Sequence, residues 1–289
     1  MPNNSRAINR IFTKKVMGDL IKSGSNEVYN CVVRRYIVDP DGKTNGDIIS
    51  EIYAHLQEDY RNEYYYMNTL LNKLLLGIHS LNTTTALSQV RIASHIADFV
   101  MINGTGKVYE IKSELDNFDR LIDQLRDYFK AFSFVSVLAS EHELIHVENI
   151  LEQLGELGEA VGIYVLTEND TIFNRTKGRE PKEYNDCLDY RCIFTLLRKC
   201  EYENVLMAYF KEVPQVPPVF YFDACLERFC QIPILTAQEL AFKELKKRNK
   251  ITQTMIADVP NELKSVIYFS NLSTDIDELN KFLQRQYRR

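Results

Sequence analysis

The sequence predicts a mixed α/β protein, with one small sheet built from a three-strand meander and two later strands, and helical additions at both ends. Three observations carry that expectation. Strand-like runs follow one another between residues 86 and 113, and Asn103-Gly104-Thr105-Gly106 separates two of them with turn chemistry. Two further apolar runs, Phe132–Leu138 and Ala160–Leu166, each follow a stretch with helical periodicity. Helix, meander, helix, strand, helix, strand describes a sheet covered by helices.

Residues 1–59 read as a helical N-terminal segment. Phe12–Ile21, Glu27–Ile37 and Asp47–Leu56 carry apolar residues at helical spacing, joined by the loops Ser23-Gly24-Ser25-Asn26 and Asp39-Pro40-Asp41-Gly42. Residues 60–170 form the second block. A long helix is expected over Arg61–His79, with Leu70, Leu71, Leu74, Leu75 and Ile78 on its apolar side. Strands follow over Ala86–Ile92, Ile96–Ile102 and Lys107–Ser113, then a helix from Asp116 to about Ala131 whose acidic first turn suits the helix dipole. The run Phe132–Leu138 reads as a buried strand, Glu141–Leu154 as a helix and Ala160–Leu166 as a fifth strand. Residues 171–289 read as a mainly helical C-terminal domain. Its opening, Thr171–Tyr184, is polar and linker-like, and Ile193–Leu197, Val205–Phe210, Phe220–Phe229 and Ala237–Leu245 look helical. Lys243–Lys250 is basic, as is the closing Gln284-Arg285-Gln286-Tyr287-Arg288-Arg289.

Composition narrows the function classes. A chain of 289 residues with 45% hydrophobic and 26% charged content is that of a soluble globular protein. No apolar run reaches the roughly 18 residues of a spanning helix, so no membrane partner is expected. Met1–Lys15 is basic without a following apolar core, unlike a signal peptide. The six cysteines form no C-x-x-C pair, which reads as reduced, mostly buried thiols in a cytoplasmic protein. A net charge of −5 argues against a molecule that wraps nucleic acid by charge alone, although bound cations and local basic patches can supply that attraction.

The chemistry concentrates between residues 98 and 128. Alternation along Lys107–Ser113 places Val108, Glu110 and Lys112 on one face and Tyr109 and Ile111 on the other. An acid and an amine on one face of a central strand are costly unless partnered or set in a wet cleft. Asp98 lies on the preceding antiparallel strand, and the interval to Glu110 lets the chain turn and return, so the two carboxylates can meet. Two carboxylates and the Ile111 carbonyl suit Mg²⁺, or Mn²⁺ in its place. Lys112 could then orient or deprotonate a water and stabilise charge on phosphorus, with Glu63 as a third acid. The pattern points to metal-dependent phosphodiester cleavage.

Asp98 followed by Glu110-Ile111-Lys112, in a helix–meander–helix–strand frame, resembles the PD-(D/E)xK nuclease superfamily. Gln124-Leu125-Arg126-Asp127-Tyr128 matches the Q-x3-Y element of its RecB-like branch, and the wider text over residues 60–167 resembles a bacterial restriction-endonuclease-like family. The resemblance implies a restriction-endonuclease-like mixed sheet. It also implies a metal-dependent nuclease with Asp98, Glu110, the Ile111 carbonyl and Glu63 at the metal, Lys112 as catalytic base, and Gln124 and Tyr128 shaping the site or holding the scissile strand. DNA is favoured over RNA, and a role in defence or on a mobile element is implied. Ala97, not proline, precedes Asp98, a position that varies in the superfamily.

Other signals are weaker. His142-Glu143-Leu144-Ile145-His146 spells H-E-x-x-H, but Leu144, Val147, Leu151 and Leu154 make that helix an ordinary packing element and no Gly-x-x-His follows. Gly104-Thr105-Gly106-Lys107 resembles the end of a phosphate loop, yet a strand follows it. His55, His79 and His95 read as structural. The N-terminal helices could read DNA through Lys14, Lys15, Arg34 and Arg35, against a duller reading as packing or a homodimer surface. The alternative function is a non-catalytic nucleic-acid-binding or regulatory protein on a decayed nuclease scaffold.

Overall fold

A computed structural model of the chain describes residues 6–59, 61–114, 116–173, 178–270, 272 and 276–288. In chain order its helices and strands are α1 (Arg6–Ile11), α2 (Lys14–Ser23), α3 (Glu27–Tyr36), α4 (Asn45–Asp59), α5 (Glu63–Leu70), β1 (Thr85–Ile92), β2 (His95–Asn103), β3 (Thr105–Lys112), α6 (Leu121–Tyr128), β4 (Phe134–Ser140), α7 (Leu144–Glu152), α8 (Glu156–Ala160), β5 (Gly162–Leu166), β6 (Ile172–Phe173), α9 (Tyr190–Thr195), α10 (Lys199–Phe210), α11 (Pro218–Phe229), α12 (Ile234–Lys246), α13 (Gln253–Ala257), α14 (Lys264–Ser270) and α15 (Ile276–Gln284). The architecture is mixed α/β with flanking helices, as the sequence predicts at that level.

The compact units cut the chain differently from the three blocks read in the sequence. Residues 1–82 and 251–289 form one unit, and 83–250 the other. The first unit is helical, with α15 packed on α2 and α4 and α14 packed on α5. The Arg61–His79 helix begins at Glu63, where the Asn62 side chain accepts the Tyr65 N–H, and passes into a π-helical turn over Leu71–Leu76 before Gly77. The helix expected over Phe12–Ile21 begins later, as α2 at Lys14, because Thr13 is extended and caps it by accepting the Val16 N–H, while α1 is a separate helix that ends at Ile11.

The second unit is built on one sheet in the order β1-β2-β3-β4-β5-β6. The first three strands are an antiparallel meander, β4 and β5 add in parallel, and the two-residue β6 closes antiparallel on β5. Between β2 and β3 the turn tightens to Gly104, which takes φ +73°, with Asn103 opposite Thr105. A parallel pair needs a crossover, and α6 and α7–α8 supply the two. Leu121, Leu125 and Phe129 of the α6 region join Val108, Val135, Val137 and Val147 in one buried apolar cluster, to which α9–α12 add Phe194, Leu206, Phe229 and Phe242. Gly106 is tied to this packing: a Cβ there would sit 2.6 Å from Phe242 and 2.9 Å from Phe132.

Helix α6 starts at Leu121, later than the expected acidic first turn at Asp116. Asp116 Oδ2 instead accepts from Ser113 N (2.8 Å) and Ser113 Oγ (2.7 Å), and Asn117 Oδ1 accepts from Asp119 N (2.6 Å). Short polar side chains thus give this backbone an alternative to the helix. The expected Thr171–Tyr184 linker holds β6 and the Arg179 bridge to Ile163, while its residues 174–177 lie outside the described residues, as do Leu115 in the stretch carrying the resemblance and the terminal Arg289. The thiols are free but are not mostly buried: Cys31, Cys200 and Cys230 are exposed and Cys225 is buried. No described helix is long and apolar enough to cross a membrane.

Candidate active site

On β3, Val108 faces the apolar cluster beneath α6, while Tyr109 points to the opposite face, edge-on to Phe99 and Tyr164. Alternation therefore carries Glu110 and Lys112 to the α6 side, as expected from the strand period. Both are buried, Glu110 at 2% and Lys112 at 6% exposure, so each must find its partner inside the protein. Lys112 Nζ donates to Glu110 Oε1 at 2.9 Å and to Gln124 Oε1 at 2.9 Å. Gln124 Nε2 donates to the same Glu110 oxygen. The Tyr128 hydroxyl donates to Glu110 Oε2 at 2.6 Å and lies 3.0 Å from the Ile96 carbonyl oxygen. Gln124 and Tyr128 are one helical turn apart, which is why both reach the same carboxylate. Lys112 carries three N–H groups. Two are engaged in this network, and the third meets no acceptor among the described residues.

Asp98 approaches from β2. The last β2–β3 ladder pair is Phe99 with Tyr109; one step beyond it, Asp98 Oδ2 accepts the Ile111 N–H at 2.9 Å. That N–H and the Ile111 carbonyl point to the same side of the strand. Tyr128 registers both acids: burial, then the Glu110 charge and its hydrogen bond, and finally the Asp98 charge raise its phenol well above the usual range. The structure thus brings Asp98, Glu110, Ile111, Lys112, Gln124 and Tyr128 to one place. Glu63 is on the exposed first turn of α5, in the other unit.

Sequence reasoning missed two features. Gln89 sits in β1 between the Ser88–Phe99 and Val90–Ala97 pairs, across from Asp98, with φ +54°. A non-glycine residue held there is strained and marks a local kink in the strand; no turn residue announces it. The second is Asp127. It accepts from Ser94 N (3.0 Å), His95 Nδ1 (2.7 Å) and Lys130 Nζ (2.6 Å), binding α6 to the β1–β2 turn. That turn is itself strained, with Ala93 at φ +51°. Burial alone would raise the Asp127 carboxyl, but the bonds from Lys130, His95 and Ser94 outweigh it and hold the carboxyl below its ordinary value. His95 is thus a structural partner.

Among the described residues no group of three or more His, Cys, Asp or Glu side chains could hold a metal ion. An ion at this site would rest on Asp98, Glu110 and the Ile111 carbonyl and keep waters for its other positions. An all-oxygen set of that kind fits Mg²⁺ or Mn²⁺ rather than zinc. The H-E-x-x-H histidines are surface groups: His142 pairs with Glu168 at 3.4 Å, and His146 with Glu143 at 3.2 Å while its ring lies 4.6 Å from that of Phe118.

Fold and site together define a mixed α/β protein with a buried carboxylate–lysine–amide–phenol network on a central strand. Residues 56–270 match the family model described as bacteriophage P4 protein cII. The match spans about three quarters of the chain, including the whole sheet and the site, and the chain belongs to that phage protein family. Comparison with curated proteins and with solved structures found no match.

Proposed function

We propose that this protein is a Mg²⁺- or Mn²⁺-dependent nuclease that hydrolyses phosphodiesters, in DNA before RNA, on a restriction-endonuclease-like core of the PD-(D/E)xK kind. The phage family to which the chain belongs favours a setting in phage or mobile-element biology. One observation carries the reading: a lysine buried beside a glutamate on a central strand, with a free N–H and a second carboxylate one strand away. A purely structural ion pair explains the Glu110–Lys112 contact but not the convergence of Gln124 and Tyr128 on it or the placing of Asp98 on the adjoining Ile111 N–H.

Asp98, Glu110 and the Ile111 carbonyl would hold the ion, which supplies positive charge opposite the phosphate and makes water in the site more acidic. The chain's own groups do the rest. Tyr128 and Gln124 fix the Glu110 carboxylate so that its orientation is set before substrate arrives. Lys112, positioned by Glu110 and Gln124, directs its remaining N–H at the attacking water or a phosphate oxygen and stabilises charge developing there.

The test is supercoiled plasmid with Mg²⁺, Mn²⁺ or EDTA, using wild type and Lys112→Ala. Metal-dependent nicking or linearisation that vanishes in the variant supports the proposal; intact plasmid with both metals sinks it. The second reading, a nucleic-acid-binding scaffold without catalysis, draws on the three hydrogen bonds that already occupy Glu110. It predicts plasmid binding by both proteins and cleavage by neither.

A further inference from the structure

The first unit contains a cavity of about 510 Å³, within the size range of small-ligand sites, lined by Ser23, Gly24, Ser25, Asn30, Arg285 and Arg288 around a floor of Tyr29, Asn45 and Tyr287. None of its lining residues is acidic, although the chain as a whole carries net charge −5. The closing segment is fixed in place: Thr44 pairs with Gln286, Asn45 N donates to Arg285 O at 2.9 Å, and Tyr287 N donates to Lys43 O at 2.9 Å. These bonds place Arg285 and Arg288 at the rim, two residues before and one residue after the buried Tyr287. The Arg285 guanidinium lies over the loop, 3.5 Å from where a side chain at Gly24 would begin. Among the described residues neither arginine makes an ion pair or a side-chain hydrogen bond.

The floor is closed chemically. Asn45 Nδ2 donates to the Phe282 and Arg285 carbonyls, and Asn45 Oδ1 accepts from the Tyr29 hydroxyl at 2.8 Å. Burial first, then Tyr287, raises the Tyr29 phenol, so the floor brings no negative charge. Tyr29 is also too buried to stack on a base. Donors remain at the rim: both guanidinium groups, and the Ser25 hydroxyl, whose oxygen accepts from Asn30 Nδ2 at 3.3 Å while its own proton stays available. Guanidinium forks match phosphate oxygens.

We infer that this cavity is a phosphate-binding site, in which Arg285 and Arg288 clamp a phosphoryl or phosphodiester group with no reading of the base. The inference stands on residues outside the candidate active site and does not rest on the nuclease reading.

Binding is measured on the full chain in EDTA, so that cleavage plays no part, with inorganic phosphate, a mononucleotide and a labelled DNA oligonucleotide as probes. The variants are Arg285→Gln/Arg288→Gln and, as a control for bulk charge, Lys182→Gln/Lys199→Gln. The expected result is at least a tenfold affinity loss in the arginine variant, with the salt slope for DNA reduced by ~1 per arginine, and no such change in the control. Phosphate or mononucleotide bound as tightly as DNA identifies a free phosphoryl ligand; loss confined to DNA identifies a nucleic-acid backbone. Equal affinities in wild type and the arginine variant, an equal loss in the control, or no binding of any probe by wild type would overturn the inference.

Discussion

Replacing Tyr128 by phenylalanine removes one oxygen from a fully buried ring and leaves the ring's packing in place. What disappears is the 2.6 Å hydrogen bond to Glu110 Oε2 in a site where that carboxylate is 2% exposed, so water cannot replace it. A hydrogen bond to a charged group contributes about 1.5–3 kcal/mol. At about 2–4 °C per kcal/mol for a unit of this size, the melting temperature should fall by about 3–12 °C. Glu110→Gln makes the partner neutral, and the same Tyr128→Phe change should then cost only about 0.5–1.5 kcal/mol. Urea denaturation of the four proteins closes the cycle. Alkaline pH adds a second readout. The folded Tyr128 phenol titrates above the unfolded value of about 10, so the stability it contributes is complete below pH 10 and declines above it. Phenylalanine has no such titration, and the gap between wild type and variant should narrow as pH rises past 10. A Tyr128→Phe cost below about 0.5 kcal/mol at pH 7 would refute the idea that the phenol holds Glu110 in place.

Lys112→Met keeps an unbranched chain in the core but leaves Glu110 buried without its cation. Denaturation should show a loss of about 3–5 kcal/mol, and plasmid cleavage should cease. Asp127→Asn removes the charge that Lys130 and His95 bind, with an expected loss of about 1–3 kcal/mol at pH 7. Because the folded Asp127 carboxyl titrates below its unfolded value of about 3.9, its contribution is present above pH 4 and disappears as pH falls through the folded value. Urea midpoints of the two proteins should therefore converge below pH 4. Gly106→Ala drives a methyl into Phe242 and should cost about 1–3 kcal/mol by the same assay.

The placement of Glu110, Lys112, Gln124 and Tyr128 was legible because it depends on two local periods. Alternation put the acid and the amine on one face, and a four-residue step put the amide and the phenol on one side of a helix. Asp98 followed from the antiparallel return. The rest depended on contacts far apart in sequence. Nothing local says that residues 251–289 fold with residues 1–82, since the Asn45 and Arg285 pairing behind it spans 240 positions. β6 is two residues long, too short to alternate. The late start of α6 was hidden because Asp116 and Asn117 suit a helix N-terminus as readily as the loop they form. Gln89 carries no residue signal for its left-handed backbone, which tertiary structure imposes.

Asp127 and Tyr128 are neighbours, and a single peptide bond joins the residue that moors α6 to the β1–β2 hairpin and the residue that grips Glu110. Protonating the mooring should let the end of the helix fray while the sheet, held by its own ladders, persists. Acid would then disarm this protein before it unfolds it: the Glu110 pocket would loosen at a pH where the strands still exchange slowly.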